Sequence, residues 1–199
     1  TDYNKLLEIF KKYNIRYFFY NGGNDSMDTC LKISKFMKKS GWECRVVGVP
    51  KTIDNDLAGI DHSPGYGSAA KYVATSIMEL YLDGTVYNTQ QFVIVEVMGR
   101  NAGWLTAAAQ LASAGGIQPD LIYLPEVDFD INQFESQVGE ILKTGKSAFV
   151  VVSEGIKTKE GKYVAELESE IAKDAFGHAN LGGTASILAN RIGNKYGVK

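Results

Sequence analysis

Cysteine and histidine are scarce in this sequence. Cys30 and Cys44 are its only thiols, and His62 and His178, far apart, are its only imidazoles. So few ligands exclude a disulfide framework and a zinc cluster, and they lead us to expect a reduced, cytoplasmic setting. Charge of one sign is lacking too. Against 23 Asp and Glu stand 21 Lys and Arg, scattered along the chain, for a formal net charge of −2. The electrostatic footprint of a nucleic-acid binder is therefore missing, and an acidic small molecule has to be caught by a local site. No apolar run approaches the ~20 residues of a membrane span, and no basic-then-apolar leader opens the chain. Internal repeats and low-complexity tracts are absent, and so is the G-x-G-x-x-G spacing of a dinucleotide fingerprint. What is there is 199 residues, 45% hydrophobic and 22% charged, the make-up of a soluble globular protein. The chain opens on Thr1 rather than Met, directly in a helical pattern, which suggests a trimmed or partial protein.

Leu6, Leu7, Phe10 and Tyr13 recur at helical spacing, and Ile15-Arg16-Tyr17-Phe18-Phe19-Tyr20 then reads as a buried strand ending in Asn21-Gly22-Gly23. The alternation continues with a helix from Ser26 to about Lys39, a strand at Arg45–Val49, and a helix from about Gly67 to Leu82. After these come a strand at Phe92–Val97, a helix near Trp104–Ala112 and a strand at Leu121–Leu124. A helix near Ile131–Leu142 and a strand at Ala148–Val152 follow. Strand–helix alternation of this kind predicts an α/β fold, parallel sheets with helices on both faces. Ligands of such sheets sit beyond the carboxyl ends of the strands, so the strand-to-helix turns are where chemistry is sought. The polar stretch Asp83–Thr89 is the candidate crossing between two lobes, and Lys157–Lys162 reads as a solvated loop.

Five segments stand at or near such turns. In Gly22-Gly23-Asn24-Asp25-Ser26, glycines allow close backbone approach to a phosphate and the following helix N-terminus favours negative charge. A tight turn with Ser26 as N-cap accounts for it equally well. Pro50-Lys51-Thr52-Ile53-Asp54-Asn55-Asp56 supplies two carboxylates, one a candidate general base and the other a metal or positioning partner. The neighbouring lysine and threonine hydroxyl suit a phosphorylated substrate. In Met98-Gly99-Arg100-Asn101-Ala102-Gly103, Arg100 stands where a guanidinium can hold a phosphoryl group. Glu154, in Ser153-Glu154-Gly155, can accept hydrogen bonds from sugar hydroxyls. His178, in the segment from Gly177 to Gly183, can approach a sugar phosphate. Singly, a surface arginine, a loop-rim glutamate or a packed histidine is the more ordinary outcome.

Together and in this order, the segments resemble the 6-phosphofructokinase family, and most of all its pyrophosphate-dependent branch. The G-G-x-x-S turn, the T-I-D-N-D loop and M-G-R each carry the likeness, which spans almost the whole chain. The resemblance implies two phosphofructokinase-type lobes: residues 1–84 in the donor lobe, 85–176 in the fructose-6-phosphate lobe, and 177–199 returning toward the first. It implies transfer of a phosphoryl group to the 1-hydroxyl of fructose 6-phosphate, giving fructose 1,6-bisphosphate, in a homo-oligomer assisted by Mg²⁺. Asp54 would be the base, and Arg100 would stabilise the transferring group. Thr52, Ile53 and Asp56 would line the acceptor loop, Met98, Gly99 and His178 would contact the sugar phosphate, and Glu154 would bind the sugar hydroxyls. Gly22, Gly23, Asn24 and Ser26 would face the donor. A noncatalytic regulatory subunit and a dinucleotide oxidoreductase fit less well, given Asp54, Asp56 and Arg100 on the one hand and the missing fingerprint on the other.

The sequence also departs from the family pattern. Asn24 stands where an aspartate usually helps hold the metal, so the metal is expected on Asn24 or Asp25. Leu181 replaces an arginine of the 6-phosphate site, and Gln91 stands where the bacterial ATP enzymes place one across a subunit interface. Asp25 and Lys51 both occupy positions that are glycine in many ATP-using members. Their bulk and charge predict pyrophosphate rather than ATP as donor, with ATP the runner-up. The family's N-terminal glycine-rich loop and its C-terminal stretch are not in the sequence, so an internal piece of a longer enzyme is expected.

Overall fold

The computed structural model describes residues 2–167 and 183–199. It divides into two compact units, the first comprising Thr1–Ile53 with Leu57–Gly65 and the second Asp54–Asp56 with Tyr66–Lys199. In the first unit, α1 (Asp2–Lys12), β1 (Tyr17–Gly22), α2 (Asn24–Lys39) and β2 (Arg45–Pro50) follow in chain order. The strands pair in parallel from Tyr17 opposite Arg45 to Gly22 opposite Pro50. Because successive side chains of a strand face opposite ways, Phe18 and Val46 turn to one face, where they pack with Phe10, Ile33 and Met37 of the helices. Tyr17, Phe19, Val47 and Val49 turn to the other and remain exposed. Helices thus cover only one face of this sheet among the described residues.

The second unit is built around β5 (Ala148–Ser153), which lies between β3 (Phe92–Val97) and β4 (Leu121–Tyr123) in an all-parallel order β3-β5-β4. Every residue of β5 is buried. Ala148, Val150 and Val152 meet Phe134, Val138 and Leu142 of α5 (Ile131–Lys143) and Leu188 and Ile192 of α6 (Thr184–Tyr196). Phe149 and Val151 face the opposite way, onto Ile77 of α3 (Tyr66–Thr85), Leu105 of the short α4 (Trp104–Ala107), and Ala109 and Ala112 of the 3₁₀ turn after it. This is the doubly covered parallel sheet that a continuous Val-rich strand predicts.

Most expected elements are present with ends shifted by a few residues, and three differences are informative. Helix α2 begins at Asn24, with Gly23 as its N-cap and no side-chain cap, so Ser26 lies inside the first turn instead of capping it. The start of the stretch Asp83–Thr89 is helical: α3 runs through Thr85 and, from Tyr66 on, falls in the second unit. Residues 184–196 form a helix, unforeseen in the sequence, that packs on β3. Its tail is held there as the Phe92 N–H donates to the Lys199 carbonyl at 2.7 Å.

Candidate active site

At the carboxyl end of β3 the chain turns through Met98 and Gly99 into Arg100. Gly99 has φ +146°, a conformation open to glycine and hardly to other residues, and a Cβ there would lie 2.6 Å from the Ala102 carbonyl oxygen. At the carboxyl end of the neighbouring β5 the chain turns through Ser153, Glu154 and Gly155. Hydrogen bonds interlock the two turns. The Glu154 N–H donates to the Val97 carbonyl at 2.9 Å, and the Gly99 N–H donates to Glu154 Oε1 at 3.2 Å. Ser153 Oγ donates to the Gly99 carbonyl at 2.6 Å and accepts from the Gly155 N–H at 3.2 Å. Gly155 lies against the Gly99 and Arg100 carbonyls so closely that a Cβ would collide with the latter. The need for glycine after Glu154 is therefore steric.

Glu154 is half-buried, and burial pushes its carboxyl above the ordinary glutamate range. The Gly99 N–H and the Arg100 guanidinium pull it back, while Glu96 and Asp54 push it up again. The same effects show that Asp54, Arg100 and Glu154, far apart in sequence, share one electrostatic neighbourhood. Arg100 Nε is buried and makes no hydrogen bond among the described residues, which suits a cation meant for an incoming anion. Asp54 precedes Asn55, a buried residue with φ +56°. Asparagine tolerates the left-handed region better than most residues, so it can hold the T-I-D-N-D loop in this turn.

In the first unit, the turn after β1 and the end of β2 are joined as the Lys51 N–H donates to the Gly22 carbonyl at 2.9 Å. Gly22 makes room for the Ser26 side chain, Gly23 is extended, and Asp25 stands in the first turn of α2. Thr52 and Ile53 belong to this unit as well. Backbone N–H groups of an N-terminal turn without a side-chain cap suit an anion. No group of three or more His, Cys, Asp or Glu among the described residues makes a metal cage. Oxygen donors at Asn24 and Asp25 beside an anion site still suit Mg²⁺, which is commonly held by one or two carboxylates together with substrate phosphates.

His178 and Leu181 lie outside the described residues. Gln91 is at the amino end of β3, six residues of strand away from Met98, with its amide turned onto Thr89. Sequence reading missed three supports. Glu96 accepts from the Ala185 N–H at 2.8 Å, holding the start of α6, and a lone charge in the apolar run Phe92–Val97 was its signal. Glu126 accepts from the Gly103 N–H at 2.7 Å, bracing the far end of the Arg100 turn, and nothing in the sequence marks it. The third is the Ser153 hydroxyl, hidden within a motif noticed for its glutamate.

The chain belongs to the phosphofructokinase family: the family described as "Phosphofructokinase" matches residues 1–199. It is 46% identical over 202 residues to the "Pyrophosphate--fructose 6-phosphate 1-phosphotransferase" of Halomonas elongata, covering 100% of this chain and 48% of the relative. To the protein of the same name from Xanthomonas campestris it is 47% identical, over 99% of this chain and 47% of that one. Among solved structures, the pyrophosphate-dependent phosphofructokinase of Nitrosospira multiformis superposes with a TM-score of 0.78 at 38% identity, covering 99% of this chain and 46% of its own. The chain thus spans about half the length of the relatives it matches.

Proposed function

We propose that the longer enzyme to which this chain corresponds transfers a phosphoryl group from pyrophosphate to the 1-hydroxyl of fructose 6-phosphate. The observation that carries the reading is the shared neighbourhood of Asp54, Arg100 and Glu154 beside the interlocked turns of β3 and β5. Asp54 takes the proton from O1, and the oxygen attacks the terminal phosphorus of pyrophosphate. The phosphoanhydride bond breaks and phosphate leaves. Arg100 stabilises the charge on the transferring group, and Glu154 accepts from sugar hydroxyls. Met98, Gly99 and His178 contact the sugar phosphate, and Thr52, Ile53 and Asp56 shape the acceptor loop. Gly22, Gly23, Asn24 and Ser26 face the donor with Asp25 and Lys51. Asn24 or Asp25 would hold Mg²⁺ together with the donor, where the ion would supply charge neutralisation. The two lobes of the reading, a donor lobe at 1–84 and a sugar-phosphate lobe at 85–176, with 177–199 returning to the first, belong to the full enzyme, which we take to be a cytoplasmic homo-oligomer. Cys30 and Cys44, both free thiols, accord with a reducing compartment.

Pyrophosphate as donor rests on Asp25 in the first turn of α2, where a carboxylate opposes the α-phosphate of a nucleotide, and on Lys51, whose ammonium favours a compact anion. The names of the relatives support it. The test is kcat/KM for both donors in the full-length enzyme and in its Asp25→Gly/Lys51→Gly variant. The wild type is expected to prefer pyrophosphate and the variant to gain use of ATP; a wild type preferring ATP ends the assignment.

A further inference from the structure

We infer that Ser153 is a positioning residue for this reaction, its hydroxyl locking the turn that carries Arg100 to the turn that carries Glu154. The inference rests on the function proposed above. Ser153 closes β5, is fully buried, and cannot touch a substrate from that position. Its one hydroxyl does two things at once. The hydrogen goes to the Gly99 carbonyl at 2.6 Å, and the oxygen receives the Gly155 N–H at 3.2 Å. Gly99 leads directly into Arg100, and Gly155 directly follows Glu154. Among the described residues the hydroxyl is therefore the one side chain seen to bond both turns through their backbones.

The remaining links are less stringent. The Gly99 N–H bond to Glu154 Oε1 uses a flexible side chain that must also serve the substrate, and the Glu154 N–H bond to Val97 fixes only the strand ends. Gly99, at φ +146°, adds no stiffness of its own. Without the hydroxyl, the Gly99 carbonyl and the Gly155 N–H both lose a partner at a buried position, and the 99–100 peptide is free to shift. A misplacement of about 1 Å in such a site loses roughly 100-fold in rate.

The experiment is a comparison of full-length wild type, Ser153→Ala and Ser153→Thr, each assayed well below its own Tm. Ser153→Ala is expected to lower kcat by roughly 10- to 100-fold and to weaken fructose 6-phosphate, leaving KM for pyrophosphate near the wild-type value. Ser153→Thr, which keeps the hydroxyl, is expected to recover most of the loss. A lowered Tm in Ser153→Ala with wild-type kcat and KM overturns the inference, as do Ala and Thr variants that lose activity equally. Calorimetric binding of fructose 6-phosphate separates this from the functional reading. If the wild type transfers nothing from pyrophosphate, that reading fails by itself. Ser153 is then judged by the affinity for the sugar phosphate, which is expected to fall in Ser153→Ala and which, unchanged, overturns its role.

Discussion

Asp54 stands in the T-I-D-N-D loop beside a left-handed Asn55, close enough to Glu154 for its charge to raise the Glu154 carboxyl. In the proposed role of base, Asp54 would matter to the chemical step more than to binding. Asp54→Asn, nearly the same shape, is expected to lower kcat by about 10²–10⁴-fold with little change in KM, as steady-state kinetics of the full-length enzyme will show. Near-normal turnover would remove it from this role. Glu154 makes a pH prediction. Burial raises its folded pKa, so the ionised form is disfavoured in the folded protein above that pKa, and the penalty is relieved as pH falls through it. In the proposed role, Glu154 would accept from sugar hydroxyls more strongly in its ionised form. The kcat/KM for fructose 6-phosphate should then fall with decreasing pH through a value above the ordinary glutamate range. The sugar phosphate itself ionises near pH ~6, so the comparison is with Glu154→Gln, which is expected to keep the phosphate limb and lose the other. Identical profiles would refute the assignment.

At the scale of elements, the doubly covered sheet is pinned along its length. Helix α5 starts at Asp130, whose carboxylate accepts from the Asn132 and Gln133 N–H groups at 2.8 and 3.0 Å. It is tied to α6 by the buried Glu135, which receives Lys195 Nζ at 2.7 Å and Arg191 at 2.9 Å, while the Tyr196 hydroxyl donates to the Glu135 carbonyl. The hydrogen bond from Lys195, with the Arg191 contacts, holds the Glu135 carboxyl below its ordinary range. A depressed carboxyl stabilises the fold above its unfolded pKa and ceases to do so as pH falls through its folded value. The two cations are partly exposed and regain water if released, so Glu135→Gln is expected to cost only about 1 kcal/mol near neutrality. That difference should vanish in acid, as urea titrations at several pH values will show; a pH-independent difference would mean that the ion pairs contribute nothing.

For the whole molecule, the two units differ in how much apolar surface they bury. The second has cores on both faces of its sheet and a central strand without exposed residues. The first has a single small core at Phe10, Ile33 and Met37 and leaves Tyr17 and Phe19 each 64% exposed. Opening free energies follow buried contacts. In the 199-residue chain, amide exchange is therefore expected to be slowest in Ala148–Ser153 and clearly faster in Tyr17–Gly22. Equal protection of the two strands would contradict this picture.

The local order of strands and helices was legible in the residues because periodicity is a local property. Ala148–Val152 announces itself as a buried strand by an unbroken apolar run, Phe92–Val97 as a strand by a run that only Glu96 interrupts, and Gly99 and Gly155 mark turns no bulkier residue fits. The types and order of the motif residues carried the family as well. Pairing was not local. That β5 lies between β3 and β4, that residues 184–196 fold as a helix against β3, and that α3 belongs with the second unit depend on burial between segments tens of residues apart. The same holds for the supports of the site. Glu96, Glu126 and the Ser153 hydroxyl act on backbone groups 89, 23 and 54 positions away. A hydrogen bond to a main-chain group leaves no mark on its partner's residue type, so only the tertiary structure, by bringing the two ends within about 3 Å, decided which polar side chains brace the start of α6 and the turns of Arg100 and Glu154.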